Sequence, residues 1–345
     1  MTGPQLDLLH DTPRHALASF MAQQAAAQRV RVVESKRLSG GAIQENWLVR
    51  ADIEGGAHHG QADFVVRTDA PSGIAVSHSR AQEFALLKAA FAAGVTVPEP
   101  LWLCEDPSCI GRPFFVMRRI PGIAAGHVLV KNAAGGADGG QLAQRLGSEL
   151  ARIHSIRPSR VDLAFLPTHD DSPAVHAIER LRAALDAHPT PQPVLEWGLR
   201  WLTRHAPARG DIVLCHGDYR TGNYMVDEHG LSGILDWEFA GWGDPLQDIG
   251  WFCAKCWRFG ANEREAGGIG AREDFYFGYE QTSGRPLARE RVHYWEVMAH
   301  ASWALIALAQ AERHRRGEEA SLLLALTAHI VPELAYEILT MTQDS

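Results

Sequence analysis

Cysteine is scarce in this chain: five occur in 345 residues, an odd number scattered unevenly. That count supplies no disulfide framework and points to a reducing, cytoplasmic setting. The one close pair, Cys253 and Cys256, has no second pair beside it, so helix packing is its default role and a redox or zinc role the alternative. Long apolar runs are also lacking. The stretch Trp303 to Ala309 is far too short to span a bilayer. The first thirty residues carry Asp7, His10, Asp11 and Arg14 with no continuous apolar segment, so neither a signal peptide nor a membrane partner is expected. Positive charge is not in excess. The formal net charge of -8 removes the electrostatic reason to expect nucleic acid or an anionic membrane as partner. No internal repeat or low-complexity tract occurs. What remains is a globular composition, 46% hydrophobic, long enough for a large core in two lobes or domains.

The order of elements is legible from periodicity. An Ala/Gln-rich helical segment (16–28) precedes short β-rich runs at 30–38, 46–53 and 64–67, which read as a small antiparallel sheet. Ser39-Gly40-Gly41 lies between the first two runs. A glycine turn there is either a plain hairpin turn or a place where backbone N–H groups approach phosphate. A helix is expected over 77–93, with Phe84, Leu87 and Phe91 at helical spacing. A strand at 113–117 ends the β-rich part. The Gly/Ala-rich stretch 132–140 reads as a mobile linker. Helices follow at 141–156 and 172–187, joined by the proline-rich 188–193 to what comes next, and helix dominates again from 274 onward.

The stretch Ile212 to Glu238 holds the polar residues that carry chemistry. Ile212–Cys215 reads as a buried strand leading into a loop with Asp218 and Asn223. Two further runs, Tyr224-Met225-Val226 and Leu231–Leu235, pair as a hairpin; with Tyr224 facing Leu235, Asn223 and Asp236 emerge side by side. An amide oxygen and a carboxylate suit magnesium, which takes oxygen ligands, and Asp218 is left to accept a hydroxyl proton. This is the division of labour that phosphoryl transfer requires.

The pattern His216-Gly217-Asp218, Asn223 and Asp236-Trp237-Glu238 resembles the catalytic segment of the aminoglycoside phosphotransferase and choline kinase-like family. The resemblance implies an α+β, bilobal protein-kinase-like fold: a helical segment (1–29), a nucleotide-binding lobe with a small antiparallel sheet and one helix (30–120), and a mainly helical catalytic and substrate-binding lobe (121–345). It implies Asp218 as catalytic base, Asn223 and Asp236 as metal ligands, and ATP or GTP with Mg2+ as cofactors. Ser39, Gly40 and Gly41 would approach the nucleotide phosphates, and Met117 would lie at the adenine hinge. Arg67 stands where a lysine is usual. With Glu83 as partner it can hold phosphate bidentately; the alternatives are an exposed strand-end arginine and a solvated glutamate. His216 is read as a structural anchor of the loop and Asp248 as its brace through backbone N–H groups. Glu238 and Trp242 are candidates for substrate contact. Acidic Glu238, Asp244, Glu263 and Glu265 would suit a polycationic sugar, whereas Trp237, Trp242, Trp251 and Trp257 would suit an apolar or acyl substrate. The segment is most similar to the branch found beside acyl-CoA dehydrogenases, which favours hydroxyacyl thioesters. The expected function is an ATP- and Mg-dependent transfer to a small-molecule hydroxyl, the alternative a nucleotide-binding module with weak or no catalysis.

Overall fold

The computed structural model describes residues 8–38, 44–69, 77–133, 139–168 and 171–343. Ser39, Gly40 and Gly41, the expected phosphate turn, lie outside these residues. The chain forms two compact units: one of residues 1–123, 161–165 and 224–240, the other of 124–160, 166–223 and 241–345. The sequence reading separates the two lobes with one cut near residue 120. The structure instead returns to the first unit twice, at 161–165 and 224–240.

The chain enters unit one with α1 (Asp11–Gln24) and the strands β1 (Arg29–Arg37), β2 (Gln44–Glu54) and β3 (Gly60–Asp69). Then come α2 (Arg80–Ala92), β4 (Pro100–Cys104) and β5 (Phe114–Arg118). The five strands form one antiparallel sheet in the order β1-β2-β3-β5-β4. Alternation along β2 buries Trp47, Val49, Ala51 and Ile53 against α1, whose Leu17 and Met21 complete that core. α2 starts three residues later than expected, where Ser79 and Gln82 form a capping box.

The chain then crosses into unit two with α3 (Gly126–Ala133), α4 (Gly139–Ile153), α5 (Pro173–Asp186), α6 (Pro193–Arg204) and β6 (Val213–Cys215). The expected linker 132–140 is therefore helical at both ends, within α3 and α4. The second return to unit one is the hairpin of β7 (Tyr224–Asp227) and β8 (Gly230–Ile234). Here the structure corrects the expected register: Tyr224 pairs with Ile234, not Leu235. A tight turn sets Asp227 opposite Gly230, and an irregularity between Met225 and Val226 leaves Ser232 as the extra residue on β8. The side-by-side placement of Asn223 and Asp236 inferred from the other register does not follow. Unit two is completed by β9 (Gly241–Gly243), α7 (Pro245–Cys253), α8 (Arg272–Ser283), α9 (Arg289–Arg315), α10 (Leu322–Thr327) and α11 (Val331–Met341).

Two glycines bring α4 and α8 into backbone contact. A Cβ on Gly278 would lie 1.9 Å from the Gln144 carbonyl oxygen, and one on Gly147 would lie 2.0 Å from that of Phe275. Gly278→Ala is expected to cost about 3 kcal/mol or more by forcing the helices apart, read as a lowered denaturant midpoint. A loss under about 0.5 kcal/mol, within the range of an ordinary surface change, would show that this contact does not hold the helices together.

The C-terminal stretch also departs from expectation. Leu322–Met341, rather than Trp303 to Ala309, is long and apolar enough to cross a membrane by length and composition, with a mean hydropathy of 1.5. In the structure it is broken into α10, a 3-10 turn and α11, with Leu324, Val331, Leu334 and Ile338 buried and Leu322, Leu323 and Leu326 exposed.

Candidate active site

Unit two carries the loop that holds Asp218. All three residues of β6 are buried, so the strand delivers the loop from the core. Asp248, in the first turn of α7, receives the loop backbone: the His216 N–H donates to its Oδ2 at 2.6 Å and the Gly217 N–H to its Oδ1 at 3.0 Å. Gly217 sits at φ +79°, in the left-handed region that glycine enters without strain. The start of α7 is set by Asp244, whose Oδ1 accepts the Leu246 N–H at 2.9 Å ahead of Pro245. His216 is fully buried; its Nδ1 accepts the Asp218 N–H at 3.3 Å and its ring packs edge-on against Tyr219. Tyr219 and Thr221 donate through their hydroxyls to the carbonyls of Leu146 and Gly267. The loop is tied to its surroundings at nearly every residue.

Behind Asp248, His154 Nε2 lies 3.2 Å from Oδ2 and Nδ1 lies 2.9 Å from the Tyr279 hydroxyl. His154, Cys215 and Asp248 offer ligand atoms within 4.8 Å of one another. Both Asp248 oxygens already accept backbone N–H groups, and burial holds the Cys215 thiol well above its usual range and therefore protonated. The cluster is a hydrogen-bonded brace, not a metal centre. Cys253 is buried and Cys256 half-buried: burial pushes the Cys253 thiol up to about 12 and that of Cys256 higher, so both rest as protonated thiols.

The Asp218 carboxylate accepts from three side chains. Asn223 Nδ2 donates to Oδ2 at 2.6 Å, Trp251 Nε1 to Oδ1 at 2.9 Å, and Arg220 Nε to both oxygens at 3.1 Å. Asn223 Nδ2 also donates to the Asp218 carbonyl at 2.9 Å. Only an amide nitrogen can serve two acceptors as donor, so both of its N–H groups are used and the amide oxygen is the atom left for a cation.

Unit one carries the other expected groups. Arg67, on β3 between Asn46 of β2 and Phe115 of β5, is buried. Its Nε lies 2.8 Å from Glu83 Oε1 and its Nη2 donates to Asp236 Oδ1 at 2.8 Å. Burial acts to lower the pKa of this guanidinium, but Glu83 and Asp236 outweigh it and hold the group charged. Glu83 is itself shared with Arg80, a fully buried arginine that also pairs with Asp69 at 2.8 Å. Asp236 adopts φ +66°, a conformation uncommon outside glycine and often found where a site imposes it. Its second oxygen remains for a cation once Arg67 has taken Oδ1. Met117 lies on β5 opposite Val65.

Glu238 is buried rather than open to a substrate. Gln44 Nε2 donates to its Oε2 at 3.1 Å. Burial, then the charge of Asp236, pushes its carboxyl up to about 7, against the Gln44 hydrogen bond. Among the other acids considered for a polycation, Asp244 caps α7 and pairs with Arg291 at 2.9 Å, and Glu265 pairs with Arg272 at 3.2 Å. Glu263 is exposed. Trp242 lies on β9 opposite Leu214. Sequence reasoning did not find Arg220, Arg80, Gln44 or His154, and it counted Trp251 only among the aromatics. A charged residue inside the Asp218–Asn223 loop was a usable signal for Arg220, and a tryptophan three residues after Asp248 on one helix was a usable signal for Trp251. Nothing local marks His154 or Arg80.

The fold is that of protein-kinase-like phosphotransferases. The model of the phosphotransferase enzyme family matches residues 34–285, and the chain belongs to that family. It is 30% identical over 190 residues to acyl-CoA dehydrogenase family member 10 of Mus musculus, covering 53% of this chain and 17% of the relative. It is 25% identical over 321 residues to family member 11 of Pongo abelii, covering 87% and 41%. The chain thus spans less than half the length of these curated relatives. Among solved structures, a putative aminoglycoside phosphotransferase from Ralstonia eutropha JMP134 superposes with a TM-score of 0.74 at 21% identity, covering 95% of this chain and 98% of the other. The GDP complex of wild-type aminoglycoside 2'-phosphotransferase-IIIa does so at 0.58 and 14%, covering 95% and 98%.

Proposed function

We propose that the protein transfers the γ-phosphate of ATP to a hydroxyl of a small acyl substrate, a hydroxyacyl thioester, in a magnesium-dependent reaction. One observation carries the reading: the Asp218 carboxylate is held by three donors on a loop whose backbone is itself clamped by Asp248. A carboxylate so placed orients an attacking hydroxyl and takes its proton as the phosphoryl group is transferred. Asn223 and Asp236 are the ligands assigned to magnesium, through the amide oxygen and the carboxylate oxygen described above. Bound there, the ion would neutralise charge on the triphosphate. Arg67, kept charged by Glu83, is assigned to the nucleotide phosphates.

Two points support an acyl acceptor over a polycationic sugar. Two of the acids that would grip a polycation, Asp244 and Glu265, are taken by arginines, and Glu238 is buried. The immediate neighbours of Asp218 are aromatic and cationic: Trp251, with Arg220 lying over Trp257 at 4.8 Å. The acyl-CoA dehydrogenase names of the relatives point the same way, toward acyl thioester chemistry. A reducing, cytoplasmic setting fits the five free cysteines.

The test is nucleotide consumption with magnesium across hydroxyacyl thioesters, choline-like amines, sugars and aminoglycosides. GTP is included because a solved relative holds GDP. Turnover should appear with hydroxyacyl thioesters and fall to background on chelation of the metal by EDTA. Turnover confined to aminoglycosides would overturn the acceptor class, and turnover that persists in EDTA would overturn the metal assignment.

A further inference from the structure

Asp218 is held from two directions by a single helix. Asp248 and Trp251 are three residues apart on α7, so their side chains leave the same face. Asp248 takes the backbone of the loop through His216 and Gly217, while Trp251 reaches past it to the carboxylate, Nε1 to Oδ1 at 2.9 Å. The indole of Trp251 is in turn held in place. It packs on Trp257 with ring centroids 5.2 Å apart, and Trp257 packs on Trp303 at 4.9 Å. The Arg220 guanidinium lies over the Trp257 ring, and its Nε returns to Asp218. The contacts close a circuit from Asp218 through Trp251, Trp257 and Arg220 back to Asp218.

The terminal torsion of an aspartate is broad, and a carboxylate that must meet a hydroxyl in one orientation needs an outside constraint on it. Trp251 pins Oδ1 and Asn223 pins Oδ2, which leaves the edge between the two oxygens as the approach for a hydroxyl. Arg220 Nε now occupies that edge, equidistant from both oxygens and on a partly exposed side chain.

Resting on the phosphotransferase reading above, we propose that Trp251 is a positioning residue for phosphoryl transfer: its indole N–H sets the rotation of the Asp218 carboxylate, so that the edge covered by Arg220 faces the acceptor hydroxyl. The role is distinct from lining a substrate pocket. It predicts an effect on turnover and none on binding.

Trp251→Phe keeps an aromatic ring against Trp257 and removes only the donor. It should lower kcat about 10- to 100-fold, the range for loss of one hydrogen bond to a charged group, with KM for nucleotide and acceptor within about twofold and the unfolding midpoint unchanged. A raised acceptor KM at unchanged kcat, or a midpoint that falls together with kcat, would overturn the proposal. A second measurement does not depend on turnover. The indole 1H–15N resonance of Trp251, identified by its loss in Trp251→Phe, should shift in Asp218→Ala more than any other indole resonance. An indole indifferent to Asp218→Ala rejects the proposal whatever the turnover. A shift that occurs in a protein that phosphorylates none of the acceptors rejects the phosphotransferase reading, and with it the role in transfer, while retaining the bond.

Discussion

Asp218→Asn is expected to reduce transfer turnover by about a thousandfold, within the 10²- to 10⁴-fold range typical of a positioned general base, while nucleotide affinity stays within about threefold. The substitution preserves shape but not acceptor capacity. An amide offers one oxygen where the carboxylate offers two, and three donors converge here from Asn223, Trp251 and Arg220. One of them must face an NH2 group, so the side chain is both unable to take a proton and held in a poorer orientation. The loop should survive, because its backbone N–H groups at His216 and Gly217 donate to Asp248 and its Tyr219 and Thr221 hydroxyls donate to the carbonyls of Leu146 and Gly267. Steady-state turnover and nucleotide titration on the same preparation separate the two effects. Turnover within tenfold of wild type would remove Asp218 from the role of base.

Arg67→Met should be the most damaging substitution in unit one. Removing a buried cation leaves Glu83 and Asp236 close together with less compensation, which typically costs about 3 to 5 kcal/mol; among the described residues Arg80 remains as the other arginine on Glu83. Transfer should fall at least about a hundredfold, as expected when a charge that clamps phosphate is lost. Arg67→Lys separates charge from shape. The arginine fork reaches Glu83 through Nε and Asp236 through Nη2, each at 2.8 Å, and a single ammonium cannot occupy both positions. The lysine variant should therefore fold with a smaller loss of midpoint and show a nucleotide KM raised about tenfold, equivalent to about 1.4 kcal/mol of binding. An unchanged nucleotide KM in both variants would remove Arg67 from phosphate binding and leave it a purely structural bridge.

The arginine also bears on what was legible beforehand. Its position on a strand and the choice of Glu83 as partner could be argued from strand and helix periodicity together with the family resemblance. Its second arm to Asp236 could not, because that contact spans 169 positions of sequence. The hairpin shows the opposite case. Its two strands were evident from their apolar runs, yet the pairing differs by one residue because the turn is tighter than expected, setting Asp227 opposite Gly230, and the extra Ser232 restores only part of the offset; periodicity carries no signal for either. Glu238 was misplaced for a related reason. An acid next to tryptophan reads as a substrate contact, whereas its burial against Gln44 depends on where β2 begins beneath it.

The sequence by itself determined the chemistry available to this protein. Asp218, Asn223 and Asp236, spaced along one segment, are the groups on which the proposed phosphoryl-transfer chemistry rests, and the elements that carry them are local: a loop after a buried strand, then a hairpin. The start of α7 was local as well, set by Asp244 before Pro245. Only the tertiary structure decided which side chains hold the carboxylate. Trp251 and Arg220 reach Asp218 because α7 packs beneath the loop and Trp257 supports the guanidinium. His154 reaches Asp248 from just past the end of α4, 94 positions away. A contact such as that of His154 depends on how helices pack over long separations, and no local residue type or spacing encodes it.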